Sequence, residues 1–286
     1  MTPKLELAAI TDEFSPDPQV AIDAMAAIGM TGAEFRVLYG KNVMDLSDDE
    51  LKRATDLAAA RGIRVLGISS PILKCVLPGD HEIDSRFQQD IFGSKHTFED
   101  QPRLAQRALE ICRLTGAKLV RVFSYWRTTQ PERTYDAVAR ALEDLARLAK
   151  PEGITVGLEN EHACNIGTGA ESAAMLARVT HPGVKLVWDP ANALVGGERP
   201  FPDGYRKLPV DRIAHVHAKD CHMEGHKPVW GPLGTRHVDW KGQIAALLAE
   251  GYRGAVSLET HWPGPDGNKL EASIICGWNL RGLLAG

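Results

Sequence analysis

The stretch Thr155-Val156-Gly157-Leu158-Glu159-Asn160 decides how this chain reads, because its pattern returns three more times. Each time a short apolar run closes on a side chain able to bind a metal. The later copies are Val184-Lys185-Leu186-Val187-Trp188-Asp189-Pro190, Ile213-Ala214-His215-Val216-His217-Ala218 and Ala255-Val256-Ser257-Leu258-Glu259-Thr260. Glu159, Asp189, His217 and Glu259 stand 30, 28 and 42 residues apart. Runs of this kind suit parallel strands buried on both faces.

The rhythm extends toward the N-terminus. Leu5–Ile10, Ala33–Val37, Arg64–Ser69 and Lys118–Phe123 read as four earlier strands, which makes eight with Thr155–Glu159, Val184–Asp189, Ile213–His217 and Ala255–Glu259. Helical stretches alternate with them. Pro18–Ile28 is stopped by Gly29, and Ser47-Asp48-Asp49-Glu50 is a capping box that opens a helix to Arg61. Pro102–Thr115, Glu132–Lys150, Ala170–Thr180, Asp239–Glu250 and Leu270–Leu284 follow. Only the helix after the sixth strand is obscure. Gly196-Gly197-Glu198-Arg199-Pro200-Phe201-Pro202 reads as a loop, and Tyr205–Leu208 has room for about one turn.

Eight strands in 286 residues give about 36 residues per βα unit, the rhythm of a (β/α)8 TIM barrel. Length alone allows one large or two medium domains. The even composition, with no Ser/Gly-rich linker, predicts an α/β protein with a single TIM-barrel domain over 1–286. A doubly wound nucleotide-binding sheet would place G-x-G-x-x-G after its first strand. Thr11-Asp12-Glu13-Phe14-Ser15 stands there instead.

Composition narrows the partners. The net charge of −4 shows no basic excess for DNA phosphates, so nucleic acid is not expected. No run approaches the roughly 18 apolar residues of a membrane span, and the opening residues lack an apolar signal core. Cys75, Cys112, Cys164, Cys221 and Cys276 are odd in number and never spaced C-x-x-C. Reduced thiols in the cytoplasm are the expectation.

Barrel enzymes carry their chemistry at the C-terminal ends of the strands. Neighbouring strands would therefore deliver Glu159, Asp189, His217 and Glu259 to one rim. Three carboxylates and an imidazole suit one divalent ion of the Mn²⁺, Mg²⁺, Co²⁺ or Zn²⁺ kind. A lone acid at a strand end is more often a helix cap, and Asp189 before Pro190 reads equally as one. Four such ends in register are harder to assign to capping. His215 shares a face with His217 and would lie one layer deeper, as a hydrogen-bonded core histidine.

Around these residues the chain resembles the xylose isomerase-like barrels, which include ketose 3-epimerases, inosose dehydratases and endonuclease IV-type nucleases. The likeness runs from Ile10-Thr11-Asp12-Glu13-Phe14-Ser15 and Gly32-Ala33-Glu34-Phe35-Arg36 through Ser69-Ser70-Pro71. It is most specific in Leu158-Glu159-Asn160, Trp188-Asp189-Pro190-Ala191-Asn192, His215-Val216-His217-Ala218-Lys219-Asp220 and Leu258-Glu259-Thr260. The resemblance implies a single divalent ion on Glu159, Asp189, His217 and Glu259. The chain also departs from relatives. Asn192 stands where ketose epimerases have a substrate-contacting histidine, and Met223 where they have an arginine. Trp230 stands where the three-zinc nucleases have an aspartate.

The resemblance implies an isomerase or epimerase acting on a small polyhydroxylated carbonyl substrate, a sugar or sugar phosphate, through a metal-stabilised enediolate. Glu159 and Glu259 would then serve as acid and base on opposite faces. The same site supports dehydration of a ketocyclitol of the inosose type, which is the alternative; an abasic-site endonuclease ranks lower. Asn192, Lys219, His162 and Arg121 are candidate substrate-binding residues. Each has a plainer reading: a helix cap for Asn192, a surface pair with Asp220 for Lys219, a loop position for His162, and a buried ion pair with Glu34 or Glu159 for Arg121. Trp126, Trp230 and Trp262 are placed in rim loops, where rings cover a sugar's apolar face. Related barrels commonly associate, so a homo-oligomer is also considered.

Overall fold

The eight apolar runs all become strands. In the computed structural model, which describes residues 5–87 and 96–286, they are β1 Glu6–Ile10, β2 Gly32–Phe35, β3 Arg64–Ser69, β4 Leu119–Val122, β5 Thr155–Glu159, β6 Val184–Trp188, β7 Ile213–Ala218 and β8 Ala255–Leu258. Each pairs in parallel with the next, and β8 pairs back onto β1, with Ala9 opposite Leu258. The result is a closed eight-stranded barrel without free edges.

Helices α1 Pro18–Ile28, α2 Asp48–Ala60, α3 Gln101–Thr115, α4 Tyr135–Ala149, α5 Gly169–Arg178, α6 Pro190–Val195, α7 Trp240–Ala249 and α8 Lys269–Ala285 follow the strands in turn. Local chemistry sets their ends. At α2, the Glu50 amide donates to Ser47 Oγ and the Ser47 amide donates to Glu50 Oε2. At α1, Gly29 takes a left-handed φ of 88° beyond the last turn. Among the described residues, no helix is long and apolar enough to cross a membrane.

Two features differ from the sequence reading. The helix after β6 begins immediately, as α6, because Asp189 caps it and Pro190 occupies its first position. The Gly- and Pro-rich segment downstream, which drew the reading toward a loop, lies beyond this short helix. The second feature is a hairpin after β7, pairing Cys221–Glu224 with Lys227–Trp230. Gly225, at φ 61°, begins its two-residue turn. Its strands are only four residues long and partly exposed, so no apolar alternation announced them.

The strand alternation sends one set of side chains outward to the helices and the other into the barrel. Trp188 packs outward, is fully buried, and donates its indole N–H to Gln243 of α7 at 2.9 Å. Inside, small residues make room for polar ones. A Cβ on Gly157 would come 2.7 Å from Val187 and 2.8 Å from Leu119. Above this constriction the interior holds buried Glu34, Ser69, His215 and Ser257.

Candidate active site

The ends of β5 to β8 converge. Glu159, Asp189, His217 and Glu259 each offer one donor atom, and these atoms lie within 4.8 Å of one another. All four are at least 97% buried. His217 Nδ1 is 3.1 Å from Glu159 Oε1 and 3.5 Å from Glu259 Oε2, so the ring sits between the two glutamates. This donor set of three carboxylates and one imidazole fits a divalent ion.

Asp189 unites its two readings. Its Oδ1 accepts from the Asn192 amide at 2.9 Å and so caps α6. Its Oδ2 turns into the cluster, 2.9 Å from Lys219 Nζ. Asn160 locks the two strand ends together: it donates to the Asp189 carbonyl at 2.8 Å and accepts from the Asp189 amide at 2.8 Å.

Each glutamate is steadied by its own cation. Arg121 pairs with Glu159 Oε2, which is the plainer of the two readings for that arginine. Glu259 is held from both sides, by Arg36 Nη1 at 2.9 Å and by Lys219 Nζ at 2.8 Å. Burial by itself would neutralise these carboxyls, but the cations outweigh it. Arg121, then His217, lowers Glu159, and Lys219 leads the lowering of Glu259. Asp189 goes the other way: burial pushes it up to about 6 against the pull of Lys219.

Lys219 is not a surface lysine paired with Asp220. It is 1% exposed and reaches inward to Asp189 and Glu259. Asp220 instead collects the backbone amides of Gly234, Arg236 and Val238 at 2.9, 3.0 and 3.1 Å, pinning the loop before α7. Asn192 is no cap either. Its Nδ2 donates to the Asn160 carbonyl at 3.0 Å and lies 3.4 Å from Glu159 Oε1. His162 stands at the mouth, its Nδ1 3.1 Å from Asn192 Oδ1 and 3.0 Å from Glu161 Oε1. Trp230 meets the His261 ring at 4.6 Å.

Below the cluster lies a layer built on Glu34, at the end of β2, whose partners strand-end reasoning did not foresee. Glu34 Oε1 is 2.8 Å from His215 Nε2 and 3.2 Å from His217 Nε2, and Glu34 Oε2 accepts from Ser69 Oγ at 2.9 Å. His215 is thus the buried core histidine expected. Glu34 engages one nitrogen of His217, so the other, Nδ1, faces the donor cluster. Burial opposes a charged His217 ring, but Glu34 and Glu159 hold its pKa well above the usual imidazole range. Arg36 shares the strand-two end with Glu34, and its partners come only from the fold. It joins Asp12 and Glu13, after β1, to Glu259 after β8.

A family model for the xylose isomerase-like TIM barrel matches residues 22–276. The chain belongs to the xylose isomerase-like TIM barrel family. The L-ribulose 3-epimerase of Methylomonas sp. (strain DH-1) is 31% identical to this barrel over 144 residues, which make up 48% of this chain and 46% of that protein. The chain therefore matches about half the length of that curated relative. The zinc-bound IOLI protein superposes with a TM-score of 0.73 at 17% identity, covering 97% of this chain and 96% of its own. The D-psicose 3-epimerase of Clostridium cellulolyticum H10, solved with D-tagatose, gives 0.69 at 16% identity, over 98% and 97%. At such identities these two structures show that this xylose isomerase-like chain shares their fold.

Proposed function

We propose that the protein is a divalent-metal-dependent epimerase or isomerase of a small polyhydroxylated ketone. The carrying observation is the set of four donor atoms from consecutive strands, all within 4.8 Å, in a chain of this family. The partial likeness to L-ribulose 3-epimerase supports a sugar substrate. Glu159, Asp189, His217 and Glu259 would hold the ion. When bound, a divalent ion supplies Lewis-acid polarisation of a substrate carbonyl and stabilises negative charge that develops on its oxygen.

The residues of this chain do the rest. Glu159 and Glu259 rise from β5 and β8 on either side of His217. Their bound cations keep both carboxylates ionised, as proton acceptors must be. Arg121 holds Glu159 through Oε2, and Oε1 faces the cluster beside His217 Nδ1, the side from which Glu159 would take a proton from the carbon beside the carbonyl. Glu259 serves from the opposite face. A proton taken on one face and returned on the other inverts the centre. Return to the neighbouring carbon interconverts ketose and aldose. Asn192 lies beside Glu159, His162 contacts Asn192, and both would orient substrate hydroxyls.

A second reading is dehydration of a ketocyclitol of the inosose type. The buried Lys219 ammonium carries it, since it lies 2.8 Å from Glu259 and its charge suits stabilising the oxygen of a leaving hydroxyl. The decisive experiment is metal analysis of the purified protein, then a screen for solvent deuterium uptake by ketoses and inososes with Mn²⁺, Mg²⁺ or Co²⁺. An epimerase or isomerase labels the carbon beside the carbonyl, and a dehydratase releases an unsaturated or diketone product. No labelling and no turnover of any of them would remove both readings.

A further inference from the structure

Lys74 stands apart from the other buried cations of the barrel mouth. It lies just beyond β3 and is 9% exposed. Its Nζ packs 4.5 Å from the Phe123 ring centroid and 5.6 Å from that of Trp126. Its nearest acid among the described residues is Glu161, whose Oε2 is 3.8 Å away, too far for a hydrogen bond. Lys219 shows what a closed pair looks like here, at 2.8 and 2.9 Å. Lys74 and Glu161 therefore face each other across a gap, with 10% and 11% of their side-chain surfaces still open.

Two chains of contacts, each of two side chains, link the gap to the donor cluster. Phe123 contacts Lys74 on one hand and Arg121, at 4.2 Å, on the other, and Arg121 pairs with Glu159. Glu161 Oε1 is 3.0 Å from His162 Nδ1, which is 3.1 Å from Asn192, and Asn192 reaches Glu159. A ketose held at Glu159 would extend its remaining carbons toward this gap.

We infer that Lys74 and Glu161 form a distal subsite for the hydroxyl-bearing end of an uncharged, unphosphorylated sugar. The inference rests on the function proposed above and names its substrate class. A hydroxyl donates once and accepts twice, so a single one can accept from Lys74 Nζ and donate to Glu161 Oε2. A buried ammonium and a buried carboxylate without mutual contact both gain by it. A phosphate offers only acceptors and about two negative charges. It would meet Glu161 as a like charge inside a site of low dielectric. Among the described residues, Arg121, Lys219 and Arg36 already answer other carboxylates, so none of these three is on hand to offset that repulsion.

The test compares deuterium exchange into D-tagatose, D-tagatose 6-phosphate and dihydroxyacetone by the metal-loaded full chain. Dihydroxyacetone is too short to reach the gap. Lys74→Met keeps the stem on the rings and removes the charge. It should lower the tagatose-to-dihydroxyacetone ratio of kcat/KM roughly 10- to 100-fold, the loss of one charge-assisted hydrogen bond. Lys74→Arg should recover part of that ratio. Glu161→Gln should relax discrimination against the 6-phosphate, a change that a purely structural role for Glu161 does not produce. An unchanged ratio in Lys74→Met, with tagatose exchange intact in the wild type, overturns the subsite alone. Wild-type preference for the 6-phosphate overturns the uncharged substrate class. Exchange of none of the three probes overturns the proposed function and the subsite with it.

Discussion

Lys219 Nζ lies 2.8 Å from Glu259 Oε2, with Asp189 Oδ2 at 2.9 Å on its other side. A full positive charge thus sits, 1% exposed, at the edge of the donor cluster. Without a dication, this ammonium balances Asp189 and shares Glu259 with Arg36. Removing one partner of a buried ion pair costs about 3–5 kcal/mol. Lys219→Met should therefore destabilise the metal-stripped protein by about that much, and a saturating divalent ion should restore most of the loss. Thermal unfolding with chelator and with Mn²⁺ reads both. An equal loss in the two conditions would refute the idea that lysine and metal share the charge balance.

Glu34 acts from beneath. Because it engages His217 Nε2 at 3.2 Å, it presents Nδ1 to the cluster. Partners of this kind typically change metal affinity 10- to 100-fold. Calorimetric titration of Glu34→Gln with Zn²⁺ or Co²⁺ should show weaker binding by that factor, with the fold retained. A dissociation constant equal to the wild type would leave Glu34 as core packing only.

The two glutamates carry the proton transfers proposed. Glu159→Gln and Glu259→Gln should each reduce solvent deuterium exchange by about 10²- to 10⁴-fold. Chelation should abolish it, and restored metal should bring it back in the wild type. A variant that exchanges at the wild-type rate excludes that carboxylate as acid or base.

The five cysteines are all buried and free. Burial pushes the thiols of Cys75, Cys112 and Cys221 up to about 12. A raised thiol pKa means the proton stays on, so at pH 8 about one thiol in 10⁴ is thiolate. Native protein should give almost no colour with a disulfide reagent at pH 8, and five equivalents after denaturation. Rapid native labelling would contradict the burial.

Much of the site could be read directly because its marks are local. Glu159, Asp189, His217 and Glu259 each end an apolar run, and the runs recur at the βα period. Asp189-Pro190 also shows how one mark carries two meanings: the carboxylate caps α6 with one oxygen and faces the cluster with the other. The hairpin Cys221–Glu224 with Lys227–Trp230 was not legible, since its strands are four residues each and only Cys221 among them is fully buried.

The sequence by itself determined the strand and helix succession, the caps, and the four polar strand ends, because period, turn chemistry and burial pattern act over a few residues. Only the tertiary structure decided the partners of those ends. Arg36 meets Glu259 across 223 positions, and Glu34 reaches His217 across 183. Lys219 turns inward rather than toward its neighbour Asp220. These choices depend on which strands face each other once β8 closes onto β1, and on which buried charges then lie near enough to offset the loss of water.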